Sequence, residues 1–105
     1  MILALLVLLQ GTGRMYWPVS VAALASGSVK HTHVAVSGTV TLVHREVDGD
    51  LHFRLSTGTV FIVAECIPSL PCRVPQVGEQ VTVRGIARHD GEHGWWEVHP
   101  VEEGP

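Results

Sequence analysis

The stretch PQVGEQVTVRGI (residues 75–86) carries the clearest indication of the fold in this chain of 105 residues. Pro75 and Gly78 mark a turn, and a β-rich run with Gly85 inside it follows directly. A glycine within a strand indicates a bulge, a bend or the close approach of another backbone. The stretch therefore predicts a turn that leads into a strand over residues 80–88.

The chain from residue 34 onward repeats this pattern of short β-rich runs and turn signals, and it has no helical periodicity long enough to predict a helix. Gly38 interrupts the first run, as expected for a bend, and Asp48-Gly49 is a strong hairpin signal. Three prolines within residues 67–78 predict a loop there. The strands are predicted over residues 34–47, from residue 50 to about Leu55, and over residues 59–65, 80–88 and 95–101.

The turn at Asp48-Gly49 determines which residues of the first hairpin share a face. A two-residue turn pairs Arg45 with His52, and successive side chains then alternate between the two faces. The predicted core face consists of Val40, Leu42, Leu51, Phe53 and Leu55. The predicted polar face consists of Thr39, Thr41, Arg45, His52 and Arg54. His44 is expected at the edge of the core.

Five strands, a bent first strand and the pattern P-x-V-G-x-x-V-x-V-x-G over residues 75–85 together resemble the OB-fold, a small five-stranded Greek-key barrel. In that fold the connection between strands three and four usually holds a helix, whereas here it is short and rich in proline. The resemblance implies an all-β, OB-fold-like barrel over residues 34–103. It does not imply a reaction.

The ending H-G-W-x-E-x-H-P, with FIVAECIP before it, is similar to small exported bacterial OB-fold-like proteins of uncharacterised function. Export also fits the apolar run ILALLVLL (residues 2–9) and the A-x-A pattern at residues 23–25. We therefore expect residues 1–25 to be a signal peptide or apolar N-terminal segment, and residues 26–33 to be a mobile segment. The mature chain would then have no transmembrane domain and would be periplasmic or secreted. The alternative is a cytoplasmic protein.

The two cysteines, Cys66 and Cys72, bear on the compartment. A proline-marked loop of five residues separates them, which does not match common zinc-knuckle spacing. An oxidising compartment would make them a disulfide, and the cytosol would leave two buried thiols. With export, we predict the disulfide.

Charge limits the candidate ligands. The formal net charge is −3, and Lys30 is the one lysine in the sequence. Non-specific binding of nucleic acid depends on lysine and arginine side chains that neutralise phosphates. A general attraction to nucleic acid is therefore excluded, and any such site must be a local patch.

Such a patch is the first candidate site, because OB-folds combine basic residues with aromatic stacking surfaces on one barrel face. The candidate ligand-binding residues are Arg45, His52, Arg54, Arg84, Arg88 and Trp95. The alternative for the arginines is an ordinary solvated barrel face. Alternation along the last strand places Trp96 with Val98 in the core and leaves Trp95 exposed.

Metal binding is the second candidate, because the chain has seven histidines. Trp95, Glu97 and His99 share one face of the last strand, and His93 lies in the preceding turn. His93, Glu97 and His99 are the predicted ligands of a transition metal, which is the one cofactor the sequence raises. The alternative is a structural or surface role for all three side chains.

No nucleophile motif or glycine-rich phosphate loop is present, so we expect a binding or accessory module and no catalytic residues. The expected partner is single-stranded nucleic acid or another oligomeric ligand. The alternative function is an exported domain that binds a metal or a protein partner. An exposed sheet edge also suggests a homodimer.

Overall fold

The computed structural model describes residues 13–105, in which six strands and a short helix are defined. The apolar run at residues 2–9 lies outside the described residues. Among residues 13–105, the structure has no helix that could span a bilayer. The elements are β1 (Trp17–Val19), α1 (Val21–Ala25), β2 (His33–Arg45), β3 (Leu51–Thr57), β4 (Val60–Cys66), β5 (Gln80–Asp90) and β6 (Trp95–Glu103).

Strands β2 to β6 close into a five-stranded barrel in the order β2, β3, β4, β6, β5 and back to β2. The pairing of β4 with β6 is parallel, and the other pairings in the barrel are antiparallel. This order is the Greek-key arrangement of the OB-fold, so the predicted fold class is confirmed. The proline-rich connection between β4 and β5 is also present and forms no helix.

Strand β2 closes the barrel because it is long enough to pair on both sides. Its first half pairs with β5 from His33 to Thr39, and its second half pairs with β3 from Thr39 to Arg45. Gly38 lies at the change of partner, where an added Cβ would be 3.1 Å from a methyl group of Val21 and 3.2 Å from the Cβ of Leu55. The predicted bend at Gly38 is therefore also a close-packing point.

The stretch at residues 75–86 forms the turn and strand that its pattern predicts. The Glu79 amide donates to the Gln76 carbonyl at 3.0 Å, and Gly78 has a φ of 94°, a combination that favours glycine at this turn position. The Gly78 amide then donates to the Val40 carbonyl at 2.7 Å. The turn thus fixes the start of β5 against β2.

The β2–β3 hairpin differs from the prediction by one residue. The Glu46 amide donates to the Asp50 carbonyl at 2.8 Å, so the loop has three residues, 47–49, and ends at Gly49 with a φ of 95°. Three-residue hairpin loops commonly end in this way, with glycine in the left-handed region. His44 consequently pairs with His52, and the predicted pair of Arg45 with His52 is wrong.

A bulge at Thr41 changes the faces of β2 as well. The register with β3 shifts between Val40 and Leu42, which turns Leu42 outward to 37% exposure and packs Val43 against the core. The predicted core position of Leu42 is therefore wrong. His44 is also exposed and does not lie at the core edge.

Residues before the predicted domain boundary belong to the packed structure. Strand β1 pairs in parallel with the start of β2, and the Ser20 side chain caps α1 by accepting from the Ala23 amide at 3.0 Å. Val21 and Leu24 of α1 are 1% and 0% exposed within the barrel core. In the full chain, β1 and α1 therefore pack onto the barrel expected from residue 34 onward, and the expected domain bounds stay a prediction. Removal of residues 1–25 as a signal peptide stays a prediction.

A disulfide joins Cys66, at the end of β4, to Cys72 in the β4–β5 connection. The Cα atoms of the two residues are 5.9 Å apart. Cys66 belongs to the core at 2% exposure, and the Cys72 sulfur lies 3.4 Å from the Gly104 carbonyl oxygen. The predicted disulfide is present. It closes the start of the β4–β5 connection into a short loop, which contacts the chain after β6 through Cys72 and Gly104.

Candidate ligand-binding face

Aromatic, charged and imidazole side chains that could bind a ligand lie together on the outer side of β3, β4 and β6. We call this surface the β3–β4–β6 face. Register sets their positions, because His52 pairs with Glu65, Arg54 with Val63, and Val63 with Glu97. The face consists of His52, Arg54, Phe61, Val63, Glu65, Trp95, Glu97 and His99. It is bordered by the β2–β3 loop and the β5–β6 turn.

Trp95 is the centre of an aromatic group on this face. The His93 ring is stacked on it at a centroid distance of 4.5 Å and an interplanar angle of 5°. Phe61 and His52 approach it edge-on at 6.0 and 5.6 Å. Trp95 is therefore half-buried and supported by neighbours, rather than freely exposed as predicted. Trp96 packs against the core, in agreement with its predicted side.

Arg54 lies among these rings. The central carbon of its guanidinium is 4.2 Å from the Phe61 centroid and 5.6 Å from the Trp95 centroid. Its Nε atom is buried and has no hydrogen-bond partner among the described residues. A guanidinium is weakly hydrated and stacks well on aromatic faces, which accounts for this position. The remaining nitrogens of the guanidinium are the natural donors for an acidic ligand.

Glu97 anchors the aromatic group although it lies outside the core. It is 1% exposed and accepts a hydrogen bond from the Trp95 indole nitrogen at 2.9 Å. Its other oxygen is 3.3 Å from the His99 Nδ1 atom and 3.7 Å from the Arg88 Nε atom. Burying a carboxylate is costly unless it has partners, and Glu97 has three. It therefore fixes the orientation of Trp95.

The other half of the face contains carboxylates and imidazoles near the β2–β3 loop. His52 Nδ1 is 3.5 Å from a Glu46 oxygen and 3.6 Å from one Glu65 oxygen. The second Glu65 oxygen is 3.6 Å from His99 Nδ1. Asp50 completes the group, since one ligand atom each from Asp50, Glu65 and His99 lie within 4.8 Å of one another.

Burial and crowding shift the pKa values in this half. Desolvation, followed by the neighbouring carboxyl groups of Glu46, Glu97 and Asp50, raises the pKa of Glu65 to about 8. Desolvation lowers the pKa of His52, and this effect exceeds the opposing effect of Glu46. At neutral pH we therefore expect Glu65 to be largely protonated and His52 largely neutral.

In the β5–β6 turn, His93 and Asp90 form a hydrogen-bonded pair at 2.8 Å. This bond raises the pKa of His93 and lowers that of Asp90 to about 2. His93 is exposed, so solvent screens the attraction although the Asp90 side chain is partly buried. The pair holds the His93 ring over Trp95.

The structure brings together part of the set predicted for ligand binding. His52, Arg54 and Trp95 are neighbours, and Arg88 reaches them through Glu97. Arg45 instead donates to the Gly49 carbonyl at 3.2 Å in the β2–β3 loop. Arg84 lies opposite Ala35 and Glu103 in the sheet.

The residues predicted to bind a metal do not all lie together either. Glu97 and His99 are adjacent, whereas the Nδ1 atom of His93 is bonded to Asp90 and its ring covers Trp95. Among the described residues, Glu46, Asp50 and Glu65 form groups of three potential ligands with a histidine, and none of these three carboxylates was predicted from the sequence. A usable signal was present for Glu65, because it is the one charged residue in the apolar strand TVFIVAE.

A separate cleft of about 460 Å³ lies near the bend of β2. Its lining consists of Ser37, Gly38, Thr39, Thr41, Ser56, Thr57, Gly58 and Gln80. It contains no titratable side chain, so it offers hydroxyl hydrogen bonds and no acid–base or metal chemistry. We therefore place the candidate site on the β3–β4–β6 face.

Comparison with solved structures supports the fold. A putative aspartyl-tRNA synthetase from Leishmania major Friedlin matches with a TM-score of 0.63 at 14% sequence identity. The match covers 90% of this chain and 21% of the synthetase chain. At this identity the likeness shows the fold alone. No protein family matches the sequence, and no curated protein is significantly similar to it.

Proposed function

We propose that this protein is a binding module whose β3–β4–β6 face takes single-stranded nucleic acid. The observation that carries the proposal is the group of Trp95, Phe61 and Arg54 on that face. OB-folds bind oligonucleotides on the corresponding strands and the adjoining loops. Aromatic rings there stack on bases without much preference for sequence. The likeness of the fold to part of a putative aspartyl-tRNA synthetase is compatible with this ligand class.

The charge of the face determines what kind of binding to expect. Arg54 and Arg88 are the arginines close to Trp95, while carboxylates occupy the other half of the face. Few phosphates would be neutralised, so stacking would contribute more than counterion release. We expect weak binding with a shallow dependence on salt concentration.

Tryptophan fluorescence tests the proposal directly. A short single-stranded oligonucleotide at low salt is expected to displace the exposed His93 ring from Trp95 and to quench the emission of Trp95. Trp95→Leu should weaken binding of a labelled oligonucleotide by about 1–3 kcal/mol, the range for one stacked base. Trp17→Phe is the matched control, because Trp17 is 49% exposed in β1 and stacks on His31. Unchanged fluorescence and anisotropy throughout the titration would reject nucleic acid as the ligand.

We also propose a role in binding rather than catalysis, in an oxidising compartment. The Cys66–Cys72 disulfide supports the compartment, because such bonds persist in periplasmic and secreted proteins. Intact mass under non-reducing conditions tests both the bond and the loss of residues 1–25. A protein isolated with two free thiols would contradict the proposed compartment.

Self-association belongs to the same proposal. Trp17 is half-exposed in β1, a short strand that is hydrogen-bonded to β2. A strand of this kind can pair with a second copy of the chain. Light scattering during size-exclusion chromatography distinguishes a homodimer from a monomer.

A further inference from the structure

We propose that the carboxylate and imidazole half of the β3–β4–β6 face binds one divalent transition-metal ion of the Zn²⁺ class. The proposed ligands are Glu46, His52 and Glu65. Asp50 and His99 lie at the other oxygen of Glu65 and are neighbours of the site. This set differs from the one predicted from the sequence. The inference does not depend on nucleic-acid binding.

The fold brings these side chains together from four segments. His52 of β3 and Glu65 of β4 are a directly opposed cross-strand pair. The bond from the Glu46 amide to the Asp50 carbonyl closes the β2–β3 loop and places both acidic residues beside that pair. His99 approaches Glu65 from β6. Because strands and a closed hairpin hold the ligands, binding of an ion would cost these residues little conformational entropy.

The separations match a coordination sphere better than they match direct hydrogen bonds. Zinc bonds to nitrogen and oxygen are about 2.0–2.1 Å long, so tetrahedral neighbours lie roughly 3.3 Å apart. His52 Nδ1 lies 3.5 and 3.6 Å from oxygens of Glu46 and Glu65. His99 Nδ1 lies 3.6 Å from the other Glu65 oxygen. These distances exceed the usual hydrogen-bond range but require only a few tenths of an ångström of contraction around an ion.

The electrostatics of the group also favour a cation. Glu65 is 9% exposed, and the ion-pair partners described for it are two histidines rather than an arginine or a lysine. Glu46 and Asp50 add further negative charge beside it. Crowded carboxylates repel one another when ionised, and a divalent ion removes that repulsion. Each group of three converging side chains contains one imidazole, His52 in one and His99 in the other, and a nitrogen ligand favours Zn²⁺ and similar ions over Mg²⁺ or Ca²⁺.

Native mass spectrometry and calorimetric titration with Zn²⁺, without oligonucleotide, test the inference. One Zn²⁺ per chain is expected, with much weaker binding of Mg²⁺. Glu65→Gln keeps the shape of the side chain and should raise the Kd for Zn²⁺ at least about tenfold, because even outer partners of metal ligands contribute that much. His52→Gln provides a second variant if Glu65→Gln does not fold. A visible absorption band with Co²⁺ would report coordination by the folded site.

The matched control is His31→Gln, which removes an exposed histidine that stacks on Trp17 away from the group. Its Kd for Zn²⁺ should equal that of the unmodified chain. Three results would overturn the inference: no one-to-one adduct, an affinity unchanged by both Glu65→Gln and His52→Gln, or an affinity lost in His31→Gln. Failure of oligonucleotide binding would leave the Zn²⁺ result unaffected, so the two proposals fail separately.

Discussion

Gly85 shows how one residue fixes the approach of two strands. A Cβ at this position would be 2.2 Å from the Pro100 carbonyl oxygen and 2.8 Å from a Val98 methyl group. Gly85→Ala should therefore lower the free energy of unfolding by roughly 2–3 kcal/mol, the upper part of the range for overpacking. Chemical denaturation measures the loss. Gly91→Ala is the control, because the same addition there meets nothing within 4 Å.

An equal effect of the two alanine substitutions would contradict the close approach of β6 to Gly85. The sequence pattern predicts something unusual at this glycine, a bulge or a near backbone. It does not identify Pro100 as the neighbour, because the contact joins residues brought together by the pairing of β5 with β6.

Glu65 is the residue whose ionisation should be visible in stability. Its folded pKa of about 8 lies above the ordinary value of 4.5, so between these values the folded protein keeps a proton that the unfolded chain has lost. The free energy of unfolding attributable to Glu65 therefore falls as pH rises through that window and is constant above it. Glu65→Gln should lack this fall.

The measurement is denaturant unfolding of both proteins at several pH values from about 5 to 8 in the presence of a chelator. The variant should gain stability relative to the unmodified chain as pH rises. His52 acts in the opposite direction, because its lowered pKa makes the folded state lose a proton first. The comparison of two proteins separates Glu65 from His52. Parallel curves would contradict the raised pKa. The other titratable groups facing Glu65 are Glu46, Asp50, Glu97 and His99.

Helix α1, like strand β1, is an element that the sequence does not predict. It has five residues, too few for a periodic pattern, and its apolar residues resemble the end of an export segment. Its role is visible only in the folded structure, where Val21 and Leu24 contribute to the barrel core. Leu24→Ala should lower the free energy of unfolding by about 2–5 kcal/mol.

Leu70→Ala is the control for that measurement, because Leu70 is 42% exposed in the β4–β5 connection. Its effect should stay within about 0.5 kcal/mol. If Leu24→Ala were equally mild, α1 would not be part of the cooperative core. A stable core without α1 would also agree with cleavage before Ser26.

The β2–β3 hairpin shows why the elements were predictable and the exact faces were not. Asp48-Gly49 correctly predicts the position of the hairpin. A loop longer by one residue then shifts every pair, and the bulge at Thr41 reverses the faces of Leu42 and Val43. A shift of one residue moves a side chain to the opposite face of a strand. The side of β3 that carries His52 and Arg54 was predicted correctly, since it depends on β3 alone.

At the scale of the whole molecule, the barrel gathers separate parts of the sequence into one face with two chemical halves. Trp95, Phe61 and Arg54 form the aromatic half, and carboxylates with His52 and His99 form the other. Trp95 and His52 were recognisable from residue type and strand alternation. The convergence of Glu46 with Glu65 was not, because it depends on the hairpin register and on the β3–β4 pairing.

The most direct test of the proposed binding face is backbone amide chemical-shift mapping during titration with a single-stranded oligonucleotide at low salt. We predict that the largest changes lie on β3, β4 and β6, around Arg54, Phe61 and Trp95, and in the β5–β6 turn. Changes centred on the hydroxyl-lined cleft near Ser37 and Thr41, or no changes at all, would contradict this prediction.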